Sequence, residues 1–538
     1  MPLPDNGTPW PPKDLTDIHA KMAEFGTWWA GDTDGLEATY SRSVNAVRPS
    51  QLAGGVVGAV ARFWWGRPNP TGGQASRKLH IPIAADLCQA SADLLFAETP
   101  SVTVDNVAVN TRLAALFDDR AVGVLASAAE AGAALGDWYV AVAWDKTIDP
   151  DKPFLVAVDA DAVAPEFRFG RLVAATVWHV VRQDGQQVWR HLERHELDAD
   201  GNGLILHGLY LGSSTSLGMA VPLTEDPATA GLQVDAEGAV VGPRTPGLGI
   251  VHVPNQTPQR EWRNHATGRH LGRSDLDQLP PLMDALDEAW SSWMRDIRLG
   301  KARLLVPESA LTDLGPGKGA GFDTDREIFT PLNTAPSSVA SSQAMAQASQ
   351  FQIRFAEHAA TCHELLATIL RTAGYSPGTF GQDEGGRTVA VTATEIRARQ
   401  QRSFSTRDRK IRNTKGPLAE LLLKLLHVDR AVFGTSITPE LPDVDFPDGI
   451  QEPMLTLAQT ATALRSAEAA STRIIVGLVH PDWDEPQIDA EVAAIEAERD
   501  AAKPDPLPDP TSPTIVPGTD PSVPPDRTVP PADVPAEQ

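Results

Sequence analysis

The chain has 538 residues, with 46 Lys/Arg against 70 Asp/Glu and a formal charge of −24. That length exceeds one ordinary core and predicts two to four subdomains or an elongated multi-part protomer. So acidic a balance excludes whole-surface nucleic-acid binding, and apolar runs such as LAGGVVGAVARFWW fall well short of the roughly 20 continuous apolar residues of a membrane span.

The N-terminus MPLPDNGTPWPPKD has neither the basic nor the apolar stretch of a secretory signal. The first fifty residues are punctuated by proline and glycine around one helical piece, Leu15 to Trp29. Next, RKLHIPIAADLCQASADLLFAETPSVTVD predicts a helix ending near Ala97, stopped by Pro100, and then a Val-alternating strand. A second helix, Asn110 to Leu135, leads into GDWYVAVAWD. That run, FLVAVDADAVAPEF, RLVAATVWHVV, QQVWRHLERHEL and GLILHGLYLG are strand-like, with turn residues between them. Residues 50–270 therefore predict an α+β body with a largely antiparallel sheet.

From Ser274 the pattern turns helical. SDLDQLPPLMDALDEAWSSWMRDIRLGKARLL places apolar residues at 279, 282, 286, 290, 293 and 297, one continuous stripe. About 25 such residues make a rod of roughly 38 Å. A glycine-rich excursion with two small strand-like pieces follows. A second long helix is predicted from about Ser341 to Thr372, with Phe351, Phe355, Cys362, Leu366 and Ile369 on one face. One apolar stripe on each rod predicts faces that a lone protomer leaves for its neighbours.

The loop GYSPGTFGQDEGGRT precedes a basic segment, Thr392 to Lys415. With Arg387 it carries nine Lys/Arg against two acids, Glu395 and Asp408. Thr392-x-x-Glu395 has capping-box spacing and marks a helix start. From Arg397 to Lys410 only Ala398 and Phe404 are apolar, which predicts a helix polar on all sides rather than a core helix. Gly416-Pro417 predicts a kink or break before LAELLLKLLHV. Helical stretches Glu452 to Val476 and Glu485 to Ala501 follow, and the proline-dense end, 501–538, predicts a disordered or polyproline-like tail.

Signals for chemistry are weak. Cys88 and Cys362 lie too far apart in sequence to suggest a disulfide framework and fit a reducing compartment. In GPGKGAG, Lys318 is followed by glycine and opens no helix, so the phosphate-loop pattern is not met. His358, Cys362 and His363 fall short of a zinc ligand set, and packing explains them better. The acid pairs Asp159/Asp161, Asp443/Asp445 and Asp482/Asp484 read as solvated loops. Trp64-Trp65 and Trp290/Trp293 read as packing or subunit contacts rather than base-stacking platforms. No catalytic residue, cofactor or metal is expected.

Taken in order, these parts resemble a family, the portal (connector) proteins of tailed double-stranded-DNA bacteriophages, over roughly residues 50 to 500. The resemblance rests on LHIPIAADLCQASADLLFAETPSVTV, the pair GDWYVAVAWD and VDADAVAPEF, and VHVPN followed by SDLDQLPPLMDALDEAWSSWMRD. TATEI opening the long helix and HPDWDEPQIDAEVAAIEAER complete it.

The resemblance implies an α+β portal-type protomer that forms a ring, usually of twelve copies, around an axial channel. By position it implies an N-terminal arm (1–50), an α+β wing (51–273), a first stem helix (274–304) and a small α/β clip (305–335). A second stem helix (336–374), a tunnel loop (375–391), a long kinked helix (392–430), a helical crown (431–500) and the tail (501–538) follow. It implies double-stranded DNA in the channel, with Gln382, Asp383, Glu384, Arg387, Arg397 and Arg399 nearest to it. Trp290, Trp293, Arg402, Arg407 and Arg409 would meet neighbouring subunits. Lys318, Asp323 and Arg326 would dock the terminase large subunit. Implied partners also include a head-completion or adaptor protein, scaffold and major capsid protein, with no membrane. The implied location is the portal vertex of the virion, after assembly in the host cytoplasm. The rival readings are another head or neck structural protein and a nucleic-acid-binding motor subunit.

Overall fold

A computed structural model describes residues 3–36, 78–299, 303–305, 312–313, 320–321, 347–349, 353–381, 393–447, 454–480, 483 and 485–501. The chain divides into two compact units, Met1–Ile450 and Gln451–Gln538.

In the first unit, helix α1 (Thr16–Ala30) buries Ile18, Met22, Phe25 and Trp28 along one stripe and ends at Gly31. Helix α2 (Ile83–Phe96) buries Leu87, Cys88, Ser91 and Leu95. Strand β1 (Ser101–Thr103) follows Pro100 and pairs with β14 (Asp443–Asp445), so one acid pair read as a loop is in fact a strand. The single helix expected over Asn110 to Leu135 is two, α3 (Val107–Leu116) and α4 (Asp119–Leu135). Phe117 leaves the helical conformation and the Asp118 carboxylate caps α4 by accepting from Ala121 N–H. Helix α4 ends at Gly136, whose φ of 101° requires glycine and whose backbone lies close against Gly272–Ser274.

Strand β2 (Asp137–Ala143) is the centre of a three-stranded antiparallel sheet, between β3 (Phe154–Asp159) and β9 (Ile250–Pro254). Its alternation serves two cores. Tyr139 and Ala141 face one, built with α1, α2 and the 276–286 region; Trp138, Val140 and Val142 face the other. A five-stranded antiparallel meander contains β4 (Val163–Arg168), β5 (Arg171–Asp184), β6 (Gln187–Leu197), β7 (Gly203–Ser213) and β8 (Ser216–Val221). The N-terminal residues run along β8, with Gly7 N–H donating to Gly218 O and Trp10 N–H to Thr215 O, which covers an exposed edge.

Helix α5 (Pro280–Leu299) is shorter than its apolar stripe, because Pro280 and Pro281 open it and residues 275–278 form a turn. Strand β10 (Arg303–Leu305) pairs with β13 (Gln347–Ser349); β11 (Thr312–Asp313) pairs with β12 (Ala320–Gly321). Helix α6 (Phe355–Ala373) therefore starts well after Ser341: the Ser/Gln/Ala-rich 347–349 has a strand partner and no apolar stripe to hold a helix. The stripes of α5 and α6 face each other within one chain. Trp293 packs on Phe355 and His358, at ring-centroid distances of 5.4 and 6.2 Å, which corrects the expectation that each needs a neighbour.

Helix α7 runs unbroken through Gly416 and Pro417, from Ala393 to Phe433. Beyond Pro417 its apolar turns, Leu418, Leu421, Leu422, Leu425 and Leu426, are buried in the second core, and this packing holds the helix across the missing N–H. In the second unit, α8 (Met454–Ser466) and α9 (Thr472–Val479) replace the one stretch expected over 452–476, with Ser471 capping α9. Helix α10 (Glu485–Ala501) has the expected bounds, and the proline-rich tail after it lies outside the described residues.

Candidate functional site: a buried polar junction

The long helix is not polar on all sides in the expected sense. Ser403, Thr406, Arg407, Lys410 and Thr414 recur at spacings of three and four and are all buried. Small hydroxyls make this possible, because each completes a local backbone bond. Ser403 Oγ accepts from Ser376 N–H at 2.9 Å, and Thr406 donates to Gly374 O at 2.7 Å, just beyond α6. Arg407 donates to Leu94 O at 2.6 Å, in the last turn of α2, and to Pro447 O. A cation there also faces the negative end of α2.

Lys410 lies at the centre of this face. Its ammonium donates to Asp275 Oδ2 at 2.6 Å and to Ser91 Oγ at 2.5 Å. Tyr375 OH donates to the same carboxylate oxygen at 2.6 Å; Asn255 and Gln256 donate to Oδ1 at 2.9 and 2.6 Å. The Asp275 carboxylate is 2% exposed and its two oxygens take four donors. Burial alone would raise its pKa, but the Lys410 charge and the surrounding donors outweigh this and hold it below the usual carboxylate range. Burial draws the Lys410 ammonium down, with Asp275 opposing. Burial, and then the Asp275 charge, push the Tyr375 phenol well up, so it stays a donor. The junction therefore ties α2, the turn after β9, the segment entering α5, the loop leaving α6 and α7 to one carboxylate. It is closed and charge-neutral, with no acid or base facing a cleft. Its chemistry is mechanical: it sets where α5 begins and α6 ends relative to the long helix.

Other buried charges act in the same way. Asp287 of α5 accepts from Ile81 N–H and pairs with His80 Nδ1, both at 2.9 Å, strapping residues 78–82 to the helix. Lys424 donates to the carbonyls of Thr245, Pro246 and Gly247, and burial pulls its pKa to about 8. Arg112 clamps Asp429 with two bonds, of 2.7 and 3.0 Å.

A family model described as Phage portal protein, SPP1 Gp6-like, matches residues 72–505. The chain belongs to this phage portal family. The match takes in the antiparallel body, the α5–α6 pair, the junction and the long helix. No curated protein matches the chain. The family is a structural, non-enzymatic one that serves in capsid assembly, genome packaging and the head-to-tail connection.

In this portal protein, Trp290 and Trp293 lie half-buried on α5, their rings 5.0 Å apart. His358 pairs with Asp296 at 2.9 Å, Cys362 is buried and His363 is exposed. Bonds from His358 and Arg354 hold Asp296 below the usual carboxylate range. Among the described residues no cluster of three or more His, Cys, Asp or Glu is arranged to hold a metal. Of the arginines expected at subunit contacts, Arg402 and Arg409 are exposed. Arg407 instead is 6% exposed and bonded within its own chain, because its helical phase points it at the end of α2. Arg397 and Arg399 belong to the first turns of α7. Gln382, Asp383, Glu384, Arg387, Lys318, Asp323 and Arg326 lie outside the described residues, as do Trp64, Trp65, Asp482 and Asp484.

Sequence reading missed the junction. Asp275 falls at the start of a stretch read as helix, Tyr375 in a loop, and Lys410 is hidden in a basic run. The one available signal was the Ser403, Thr406, Thr414 spacing, small hydroxyls on one face of a helix otherwise full of arginine.

Proposed function

We propose that twelve copies of this chain form a ring at one capsid vertex and that DNA passes through its axial channel during packaging and ejection. The observation that carries this reading is the family match, which spans residues 72–505 of 538 and therefore the whole run of parts from body to terminal helices. Residues 51–273 would form the wing, 274–304 and 336–374 the stem, 305–335 the clip, 375–391 the tunnel loop, 392–430 the channel-to-wing helix and 431–500 the crown. Arg387, Arg397 and Arg399, with Gln382, Asp383 and Glu384, would lie nearest the DNA. Lys318, Asp323 and Arg326 would present the clip to terminase, which a head-completion protein later replaces. Arg402 and Arg409 would face adjacent copies, Trp290 and Trp293 being packed within their own chain, and scaffold and major capsid protein would surround the ring.

A net charge of −24 suits a conduit. A wall that neutralised many phosphates would release counterions, bind tightly and act as a brake on moving DNA. The junction at Asp275 and Lys410 suits a part under load, because its direct bonds lock both stem helices to the long helix.

Negative-stain images of the purified full-length protein test the reading. Rings with a central hole are expected, with an oligomeric mass of twelve copies by native mass spectrometry. Particles without a channel would overturn it in favour of an adaptor-like neck protein. ATP hydrolysis by the purified protein alone would overturn it in favour of a motor subunit.

A further inference from the structure

Helix α7 has an arginine flank on one side and, on the other, an acidic groove that it shares with α2. Placed at 100° per residue, Ser403, Thr406, Arg407, Lys410 and Thr414 define the buried face. Arg402 and Arg409 then lie about 100–120° to one side, the side on which Asn413 donates to Pro254 O, and Phe404 about 100° to the other. Arg402 and Arg409 are exposed and have no ion-pair partner among the described residues. Arg409 acts on the Arg273 guanidinium, which burial and then the Arg260 and Arg409 charges hold below its ordinary range, with Asp277 and Asp275 opposing.

On the Phe404 flank, α2 and α7 enclose an open groove of about 270 Å³. Ala90, Leu94 and Phe404 supply apolar lining; Asp93 and Glu98 supply two exposed carboxylates, neither with an ion-pair partner among the described residues. Arg407 also lines the groove, but backbone carbonyls of Leu94 and Pro447 hold its guanidinium. Apolar walls with a net-negative lining suit an arginine, whose stem packs on carbon while its fork meets carboxylate.

We propose that the Arg402/Arg409 flank of one copy docks into the Asp93/Glu98 groove between α2 and α7 of the next copy. The inference rests on the ring reading above and names the surface that would close the ring. A second copy fits better than DNA because the complementary charge, Asp93 of α2 and Glu98 just beyond it, lines the groove on the Phe404 flank of α7, opposite the Arg402/Arg409 flank. Head-to-tail contact around a closed ring requires two different patches at one level.

Charge reversal separates the alternatives. Arg402→Glu/Arg409→Glu and Asp93→Lys/Glu98→Lys change only exposed side chains, so each variant is expected to keep the wild-type circular-dichroism melt. Each alone should need at least about ten-fold more protein than wild type for half-assembly, read by native mass spectrometry. An equimolar mixture should restore rings with equal numbers of the two variants, because every contact then joins opposite charges. A single chain carrying all four changes should also assemble. Normal rings from either reversed variant, or no rescue on mixing, would overturn the proposal while leaving the ring reading intact. Normal rings from Arg402→Glu/Arg409→Glu with reduced DNA retention would assign the flank to DNA and overturn it too. A wild-type protein that forms no ring would overturn both readings together.

Discussion

Lys410 lies 3% exposed, where an ammonium survives only because one carboxylate and one hydroxyl oxygen accept its hydrogen bonds. Lys410→Met fills the space but leaves Asp275 as an uncompensated buried charge. Urea denaturation should show a loss of about 3–5 kcal/mol, most of it recovered when Asp275→Asn is added. Equal stability of Lys410→Met and wild type would mean that Asp275 is neutral in the folded protein. A second residue-scale test concerns pH. His191 of β6 stacks on His207 of β7, and their ring nitrogens are 3.0 Å apart; Glu193, His195 and His179 face the same cluster. Burial, then His207, lowers His191 to about 4. Burial would raise Glu193, but the His195 bond and the neighbouring histidines lower it to about 2. The unfolded chain takes up the His191 proton near 6.5 and the folded protein only near 4, so stability present above pH 6.5 falls as pH drops through that window. The Glu193 contribution falls between about 4.5 and 2. His191→Gln should remove roughly 2–3 kcal/mol of the stability change between pH 7 and 4, allowing for solvent screening. An unchanged pH profile would show that His191 takes up its proton at the same pH in the folded protein as in the unfolded chain. None of these roles was legible in the sequence. The Asp275–Lys410 contact spans 135 positions, and no local pattern encodes which lysine in a basic run turns inward.

Local elements were far more legible. Strand alternation marked β2 through β7, because each has one side or both against a core and turn residues at its ends. Misreadings came where a local cap or a tertiary contact overrides the apolar periodicity. Asp118 splits a helical stretch by capping its second half, β13 takes residues that pattern as helix, and α7 crosses Gly416-Pro417. The last of these makes a clean test. Gly416 is exposed and helical, and beyond its chain neighbours and its own helix a Cβ added there meets no atom within 4 Å. The next residue is Pro417, whose ring crowds the Cβ of a helical residue before it. Gly416→Ala should therefore give no rise in thermal midpoint, the roughly 0.5–1 kcal/mol gained at an ordinary helical glycine being offset by this clash. A midpoint raised by the full gain would mean that residue 416 leaves the helical conformation in solution.

At the scale of the whole molecule, the order of parts was legible and their contacts were not. The run from α+β body through paired helices to a long helix is a property of sequence order, and the family match follows it. How far the chain divides is a matter of contacts, and these place a boundary after Ile450. Among the described residues, contacts that hold α7 lie before that boundary: the β1–β14 pair, buried Phe446 and the Pro447 carbonyl that receives Arg407. A chain ending at Ile450 should accordingly stay folded, unfold cooperatively and melt within about 2 °C of the full-length body. Dye binding and a lost near-ultraviolet circular-dichroism signal in the shortened chain would show instead that 451–538 completes the core. The same chain discriminates at the next level. Arg402, Arg409, Asp93 and Glu98 all belong to the first unit, so the shortened chain should still form rings. If it folds but remains single in native mass spectrometry, the assembly surface lies in the second unit and the α2–α7 groove is not where copies meet.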